Sequence, residues 1–201
     1  MSEVMQTVSE NLVFVLQFLG LVVLMFLIAY GIEKAVKRKN GDSERVLATR
    51  KVVMIGVFSA MAAVLMVLEF PVPFAPSFYG MDFSELPALI GAFAYGPVAG
   101  VMIEFCKIVI KLFLKPSSTA FVGELANFVI ACVLVLPASV IYLVKKTRKN
   151  AIVGTIVGTL LMTVFGTAFN AVYLIPKFAQ LYGIPLDSII AMGTAINPSI
   201  H

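Results

Sequence analysis

The sequence predicts an all-α, polytopic membrane protein. Hydrophobic residues make up 60% of the chain, charged residues make up only 13%, and the mean hydropathy is +1.00. A soluble domain of this size carries about 25% charged residues. Because one bilayer span takes about 20 apolar residues, a chain of 201 residues has room for about six spans joined by short loops.

The composition also argues against several kinds of chemistry. Cys106 and Cys132 lie in apolar runs, where cysteine is typically a small buried hydrophobe, and the single histidine is the last residue, His201. The chain contains no Gly-rich phosphate loop, no Cys/His metal spacing and no nucleophile elbow. We therefore expect no catalytic residues, no metal and no bound cofactor. The net charge of +4 is clustered in loops, which indicates membrane topology and not nucleic-acid binding.

The first apolar run, residues 11–32, is predicted to be a retained membrane span. It is too long for the core of a signal peptide, and its positive charges follow it instead of preceding it. The next stretch, 33–51, contains seven basic residues and is predicted to be a cytoplasmic loop by the positive-inside rule. The N-terminus is accordingly expected outside the membrane.

The second span, 52–68, carries small residues at a spacing of four. Gly56 is followed by Ala60, and Ser59 is followed by Ala63. Such pairs allow two helix backbones to approach closely. Packing inside the protein and docking to another subunit both fit this pattern, and the sequence leaves the two open.

The most unusual stretch of the chain follows this span. Its first half is interrupted by Pro71, Pro73, Pro76 and Gly80, so no regular structure is expected there. Five aromatic residues lie among them: Phe70, Phe74, Phe78, Tyr79 and Phe83. A long, aromatic, proline-stiffened loop is typical of a lid or a binding wall, whereas an interfacial aromatic belt is the alternative.

The remaining apolar runs predict four further spans, three with polar residues near the same side of the membrane. They cover residues 86–95, 98–114, 120–144 and 151–175, and Lys177 is expected in an outer loop. In the run 98–114, Glu104, Lys107 and Lys111 share one helical face. Glu124 and Asn127 lie near the outer end of the run 120–144, and Asn170 lies near the outer end of the run 151–175. A charge at the bilayer centre costs about 2.5–3.5 kcal/mol, so Glu104 is expected to pair with one of the lysines, and the polar face to line a solute site or tie the bundle together. The amides suit either helix contacts or hydrogen bonds to a planar heterocycle or a polyol.

Three motifs resemble the riboflavin-specific S components, the RibU family, of energy-coupling factor (ECF) transporters. They are E-F-P-V-P-F-A-P-S-F-Y-G-M-D-F-S-E-L-P-A-L-I-G at 69–91, G-E-L-A-N-F at 123–128 and F-N-A-V-Y-L-I-P at 169–176. The resemblance implies a six-helix vitamin-binding membrane domain over 51–201. It leaves 1–50 as an extra N-terminal transmembrane helix with a basic cytoplasmic loop. Because the last helix of the family would only be starting at His201, and its Asn-x-x-Lys pair is not present, an incomplete last helix is expected.

The resemblance implies capture of riboflavin, as transported ligand, in a pocket covered by the loop near the outer surface of a prokaryotic plasma membrane. The candidate binding residues are Tyr79, Met81, Asp82, Phe83, Lys107, Glu124, Asn127 and Asn170. The second span, with Gly56, Ser59, Ala60 and Ala63 as candidates, would dock in the bilayer onto the ECF transmembrane coupling subunit, which two cytoplasmic ATPases drive. An S component for another vitamin and a non-transporting membrane scaffold are the alternatives.

Overall fold

A computed structural model describes residues 12–41, 46–71, 80–115, 117, 121–183, 185 and 188. The helices are α1 (Leu12–Lys39), α2 (Thr49–Val67), α3 (Glu85–Tyr95), α4 (Pro97–Leu114), α5 (Val122–Val144), α6 (Arg148–Phe169) and α7 (Ile175–Tyr182), with a π-helical turn, Asn170–Leu174, between the last two. Four helical segments in this part of the chain are long and apolar enough to cross a membrane. The predicted helical membrane fold is confirmed, whereas the expected incomplete last helix lies outside the described residues.

Helix α4 forms the centre of the bundle and contacts α1, α2, α3 and α5. Its buried side chains Val98, Val101 and Ile108 belong to one core cluster with Phe128 and Cys132 of α5. Close packing against neighbouring helices holds α4 in place, although its own sequence contains three charged residues. Those charges therefore have to be satisfied inside the protein, which determines the structure of the site described below.

The ends of the proline-rich loop form a short antiparallel pair, β1 (Phe70–Pro71) and β2 (Gly80–Met81). The prediction that this half of the loop contains no regular structure is wrong at these two ends. Pro71 is tolerated because a two-residue ladder at an edge does not need its missing backbone donor. A Cβ atom at Gly80 would lie 2.7 Å from Oε2 of Glu69, so a larger residue there would require that side chain to move. Residues 72–79 lie outside the described part of the chain.

Helix α1 continues past the predicted end of the first span, so the expected loop over 33–51 is too long. Within the added part, Glu33 is completely buried and binds the start of α4. Its Oε2 accepts a hydrogen bond from the backbone N–H of Val98 at 3.0 Å, and its Oε1 lies 3.3 Å from Nζ of Lys37. The carboxylate thus caps the N-terminus of α4, where backbone N–H groups lack helical partners. Gly96, with φ of 104°, leaves room for it.

The final helical segment is also longer than predicted, because it continues without interruption to Tyr182. Lys177 therefore lies in α7, and its prediction as a loop residue is wrong. Pro176 would normally clash with the carbonyl group four residues earlier. The π-helical turn immediately before it changes that spacing, and the backbone N–H of Ile175 donates to the carbonyl oxygen of Asn170.

Helices α5 and α6 pack with their backbones unusually close. A Cβ atom at Gly154 would lie 2.6 Å from the carbonyl oxygen of Ala138, and one at Gly158 would lie 2.5 Å from that of Leu134. Both atoms belong to the α5 backbone, which cannot move aside as a flexible side chain does. The two glycines therefore determine the distance between these helices.

We expect Gly158→Ala to destabilise the protein by about 1–3 kcal/mol, because the added methyl group forces α5 and α6 apart. Gly166→Ala on the same helix is the matched control, since the nearest atom to its added Cβ would be 3.7 Å away. Thermal unfolding in detergent measures both. The packing argument fails if the two variants unfold at the same temperature, because each gains the same helix propensity.

Candidate functional site

A cavity of about 520 Å³ lies at the end of the bundle that carries β1 and β2, which we call the cavity end. Pockets of about 300–1,000 Å³ are typical of small-molecule sites. Its wall is formed by the end of α2, by β2 and the start of α3, by α4 and α5, and by the segment from α6 to α7. The lining residues are Met66, Glu69, Gly80, Met81, Asp82, Glu85, Lys111, Lys115, Gly123, Glu124, Ala126, Asn127, Ile130, Ala131, Met162, Asn170, Leu174 and Phe178.

Two ion pairs cross the wall and join α4 to its neighbours. Nζ of Lys111 lies 2.9 Å from Oε1 of Glu124 on α5, and Oγ of Ser117 donates to the other carboxylate oxygen at 2.8 Å. Nearer the solvent, Lys115 pairs with Glu69 at the base of β1. Lys111 lies in the last turn of α4, and Lys115 directly follows the helix. The end of α4 therefore supplies the positive charge of the wall, and the segments around it supply the negative charge.

A third group of charges lies directly behind the wall. Lys107 is fully buried, and its Nζ lies 2.6 Å from Oε2 of Glu104 and 2.6 Å from Oε1 of Glu85. It also donates to Oγ of Ser84 at 3.1 Å. The expected pairing of Glu104 with a lysine is confirmed, with Lys107 as the partner. Because Glu85 is the member of this group that reaches the cavity, Lys107 fixes a wall carboxylate in position.

The two amide candidates, Asn127 and Asn170, both line the cavity. Asn127 of α5 has a buried Oδ1 atom with no hydrogen-bond partner among the described residues. A buried acceptor without a partner costs about 1–3 kcal/mol, so a ligand that offers an N–H or O–H group would relieve that cost. Asn170 is the first residue of the π-helical turn, a feature that is frequent at functional sites. The two amides can thus act on one ligand.

Residues 50–199 match the family described as ECF transporter, substrate-specific component. The chain belongs to this family. It is a multi-pass membrane protein of the S-component class, and the resemblance seen in the three sequence motifs is confirmed.

The S component is similar to curated transporters and to a solved structure. It is 32% identical over 151 residues to riboflavin transporter FmnP of Bacillus subtilis (strain 168), which covers 75% of this chain and 80% of that protein. It is 32% identical over 135 residues to riboflavin transporter RibU of Staphylococcus aureus (strain TCH60), covering 67% and 70%. A solved structure described as the S component of a bacterial ECF transporter aligns with a TM-score of 0.59 at 32% identity and covers 73% of this chain and 88% of that one.

The S component brings most of the predicted binding residues to one wall. Met81, Asp82, Glu124, Asn127 and Asn170 all line the cavity. Phe83 is 62% exposed and contacts Phe70, and neither it nor the buried Lys107 is among the lining residues. Tyr79 lies outside the described residues. Their roles in binding all stay predictions.

Sequence reasoning missed Glu69 and Lys115 as wall residues, and it did not anticipate the π-helical turn. Glu69 and Lys115 are 46 positions apart and meet only because α2 and α4 end side by side. Pro176, placed inside an apolar helical run, was the one available signal for an irregular turn. Within the described ranges, no three His, Cys, Asp or Glu side chains are grouped closely enough to hold a metal ion.

The small residues of α2 divide into two pairs in the S component. Ser59 and Ala63 are fully buried in the bundle, and the hydroxyl of Ser59 donates to the carbonyl oxygen of Ile55. Gly56 and Ala60 are exposed on the outer face of the helix. A partner that approaches this face would meet Gly56 and Ala60 but not the other two.

We expect Lys107→Met to destabilise the protein by about 3–5 kcal/mol, because it leaves the buried carboxylate of Glu104 without a positive partner. Lys115→Met is the control, since its ion pair is between side chains that are 53% and 38% exposed and should contribute at most about 1 kcal/mol. Thermal unfolding in detergent gives both values. Combining Lys107→Met with Glu104→Gln should recover part of the loss, and equal losses for the two lysines would contradict the assignment.

Proposed function

We propose that this S component is the riboflavin-capturing subunit of an ECF-type vitamin uptake transporter in a prokaryotic plasma membrane. The observation that carries the proposal is the cavity itself. It has the volume of a small-molecule site, it combines apolar side chains with convergent hydrogen-bonding groups, and it lies in a protein whose relatives are named riboflavin transporters.

The lining matches the chemistry of a flavin. The isoalloxazine ring has an apolar edge, which suits Met66, Ile130, Met162, Leu174 and Phe178. Its other edge alternates hydrogen-bond donors and acceptors, and an asparagine amide offers both kinds of group. The ribityl hydroxyls are donors that suit carboxylate oxygens. The cavity lining thus offers apolar side chains for one edge of the ring and hydrogen-bonding groups for the other edge and the hydroxyls.

Each predicted binding residue has a role in this proposal. Asn127 and Asn170 hydrogen-bond the ring, Asp82 and Glu124 accept from hydroxyl groups, and Met81 packs against the ligand. Tyr79 and Phe83 belong to the loop that covers it, and Lys107 acts indirectly by positioning Glu85. No covalent bond is made or broken during capture, so the protein acts as a binding subunit and not as an enzyme, and it needs no cofactor.

Transport would then require the partners of an ECF system, namely a transmembrane coupling subunit and two cytoplasmic ATPases that supply the energy. The exposed small residues of α2, Gly56 and Ala60, are the proposed contact with the coupling subunit in the bilayer. The domain division proposed from the sequence fits the family match, which begins at residue 50. Helix α1 would accordingly be an addition to the transport unit.

We expect the purified chain to quench riboflavin fluorescence, and Asn127→Leu and Asn170→Leu each to weaken binding about tenfold, the effect of losing roughly one hydrogen bond. Thr163→Val is the control, because its exposed hydroxyl donates to the carbonyl oxygen of Thr159 in its own helix and Thr163 is not among the lining residues. A folded protein that does not quench riboflavin would count against the assignment, and quenching by both asparagine variants at the wild-type affinity would count against the site.

We expect Gly56→Leu to reduce co-purification with an ECF coupling module several-fold while riboflavin binding by the isolated subunit persists, because the larger side chain blocks close helix approach. Gly20→Leu on α1 is a matched control, since a Cβ atom at either glycine would have no other atom within 4 Å. If both substitutions disturb assembly equally, the contact is not specific to α2.

A further inference from the structure

The charges of the buried group behind the cavity wall do not balance. Nζ of Lys107 lies 2.6 Å from a carboxylate oxygen of Glu104 and 2.6 Å from one of Glu85. Glu104 and Lys107 are completely buried, and the side chain of Glu85 is 29% exposed. With both carboxyl groups ionised, two negative charges would face one positive charge away from water. An uncompensated buried charge is costly, and a carboxyl group in that position becomes neutral instead.

The hydrogen bonds of the group are also incomplete. Oε1 of Glu104 and Oε2 of Glu85 are buried and have no donor among the described residues. The two carboxyl groups nevertheless lie within hydrogen-bonding reach of each other. Ionised carboxylates only accept, so two of them cannot form that bond, whereas a protonated carboxyl group has an O–H that donates. One proton between adjacent carboxyl groups removes their repulsion and completes the bond.

The helices packed around the group do not supply the missing positive charge. Among the described residues, the charged side chains that act on Glu104 are those of Glu85 and Lys107. On α5, the thiol of Cys132 faces the same three side chains and brings no positive charge. Helix α2 packs beside this part of α4 through the apolar core cluster that contains Ile55. The group therefore has to be neutralised from within.

The lysines before and after the group along α4 are matched by carboxylates of their own. One turn after Lys107, Nζ of Lys111 lies 2.9 Å from Glu124. At the start of α4, Nζ of Lys37 lies 3.3 Å from Glu33. Within the described ranges, no three His, Cys, Asp or Glu side chains are grouped closely enough for a metal ion to supply the charge. A proton is the cation that the group can hold.

We propose that Glu104 and Glu85 share one proton, so that the group around Lys107 is a proton-binding site buried behind the cavity wall. The proton lies in an O–H···O hydrogen bond between the two carboxyl groups. The one negative charge that remains on the pair is balanced by Lys107. Since Glu85 also lines the cavity, the proton can exchange with water there. The inference does not depend on which ligand the cavity takes.

The first test is infrared spectroscopy of the full 201-residue chain in detergent. A protonated carboxyl group has a C=O stretching band that an ionised carboxylate lacks. We expect the wild type to show this band at about pH 7, where an ordinary glutamate, with a pKa of about 4.3, is ionised. Glu104→Gln should lose it, because Glu85 then has Lys107 to itself and ionises. The glutamine N–H can donate to Glu85 as the O–H did, so the fold is retained.

Glu33→Gln is the matched control. Glu33 is equally buried, but it faces one lysine and a backbone N–H, so it is ionised and its replacement should leave the band unchanged. Absence of the band from the wild type, its survival in Glu104→Gln or its loss from folded Glu33→Gln would each overturn the inference. If Glu104→Gln does not fold, Glu85→Gln decides the question, since it too leaves one carboxylate for Lys107.

A shared proton also makes stability depend on pH. The folded protein holds a proton that both glutamates of the unfolded chain have released above about pH 5, so stability falls as the pH rises. Between about pH 6 and pH 8, the unfolding equilibrium constant of the wild type should rise about tenfold per pH unit relative to that of Glu104→Gln. Denaturant titrations in detergent at several pH values measure this. An identical pH dependence of the two proteins would mean that both carboxylates are ionised in the folded state, which contradicts the inference.

Discussion

The ion pairs of Lys107 with Glu104 and Glu85 are the interaction on which the cavity end of this protein depends. Both Lys107 and Glu104 are completely buried in the middle of α4, which is a largely apolar helix. Lys107 also binds Glu85 at 2.6 Å, so this ion pair joins the start of α3 to the centre of α4. The position of α3 in turn determines where Asp82 and β2 lie, and with them one side of the cavity.

The same constraint operates at the opposite end of the bundle. There the carboxylate of Glu33 is buried against Gly96 and accepts from the backbone of Val98, so that α1 is joined to the start of α4. Both ends of α4 are therefore held by carboxylates from other helices, Glu33 at its start and Glu69, through Lys115, after its last turn. Helix α1 adds a face to the bundle by this contact, although the family match begins only at residue 50.

The proposed function uses these charges for a second purpose. The pairs of Lys111 with Glu124 and of Lys115 with Glu69 join segments of the bundle, and all four of these residues line the cavity. A neutral polyhydroxylated heterocycle can hydrogen-bond to such a wall without disturbing the pairs. Stability and ligand binding would thus depend on the same side chains, and a substitution that alters one should be examined for its effect on the other.

The sequence by itself determined the membrane-helical class, the family and the residues around the loop, because apolar runs and local motifs such as the one at 69–91 are properties of neighbouring positions. Most of the binding candidates followed from the same local signals. Only the tertiary structure decided that Glu33 belongs to a helix, that Lys107 lies behind the wall, and that Glu69 meets Lys115. Each of these placements depends on a contact between a charged side chain and a group on another element of the fold. The periodicity of the sequence does not show which groups on other elements come into contact.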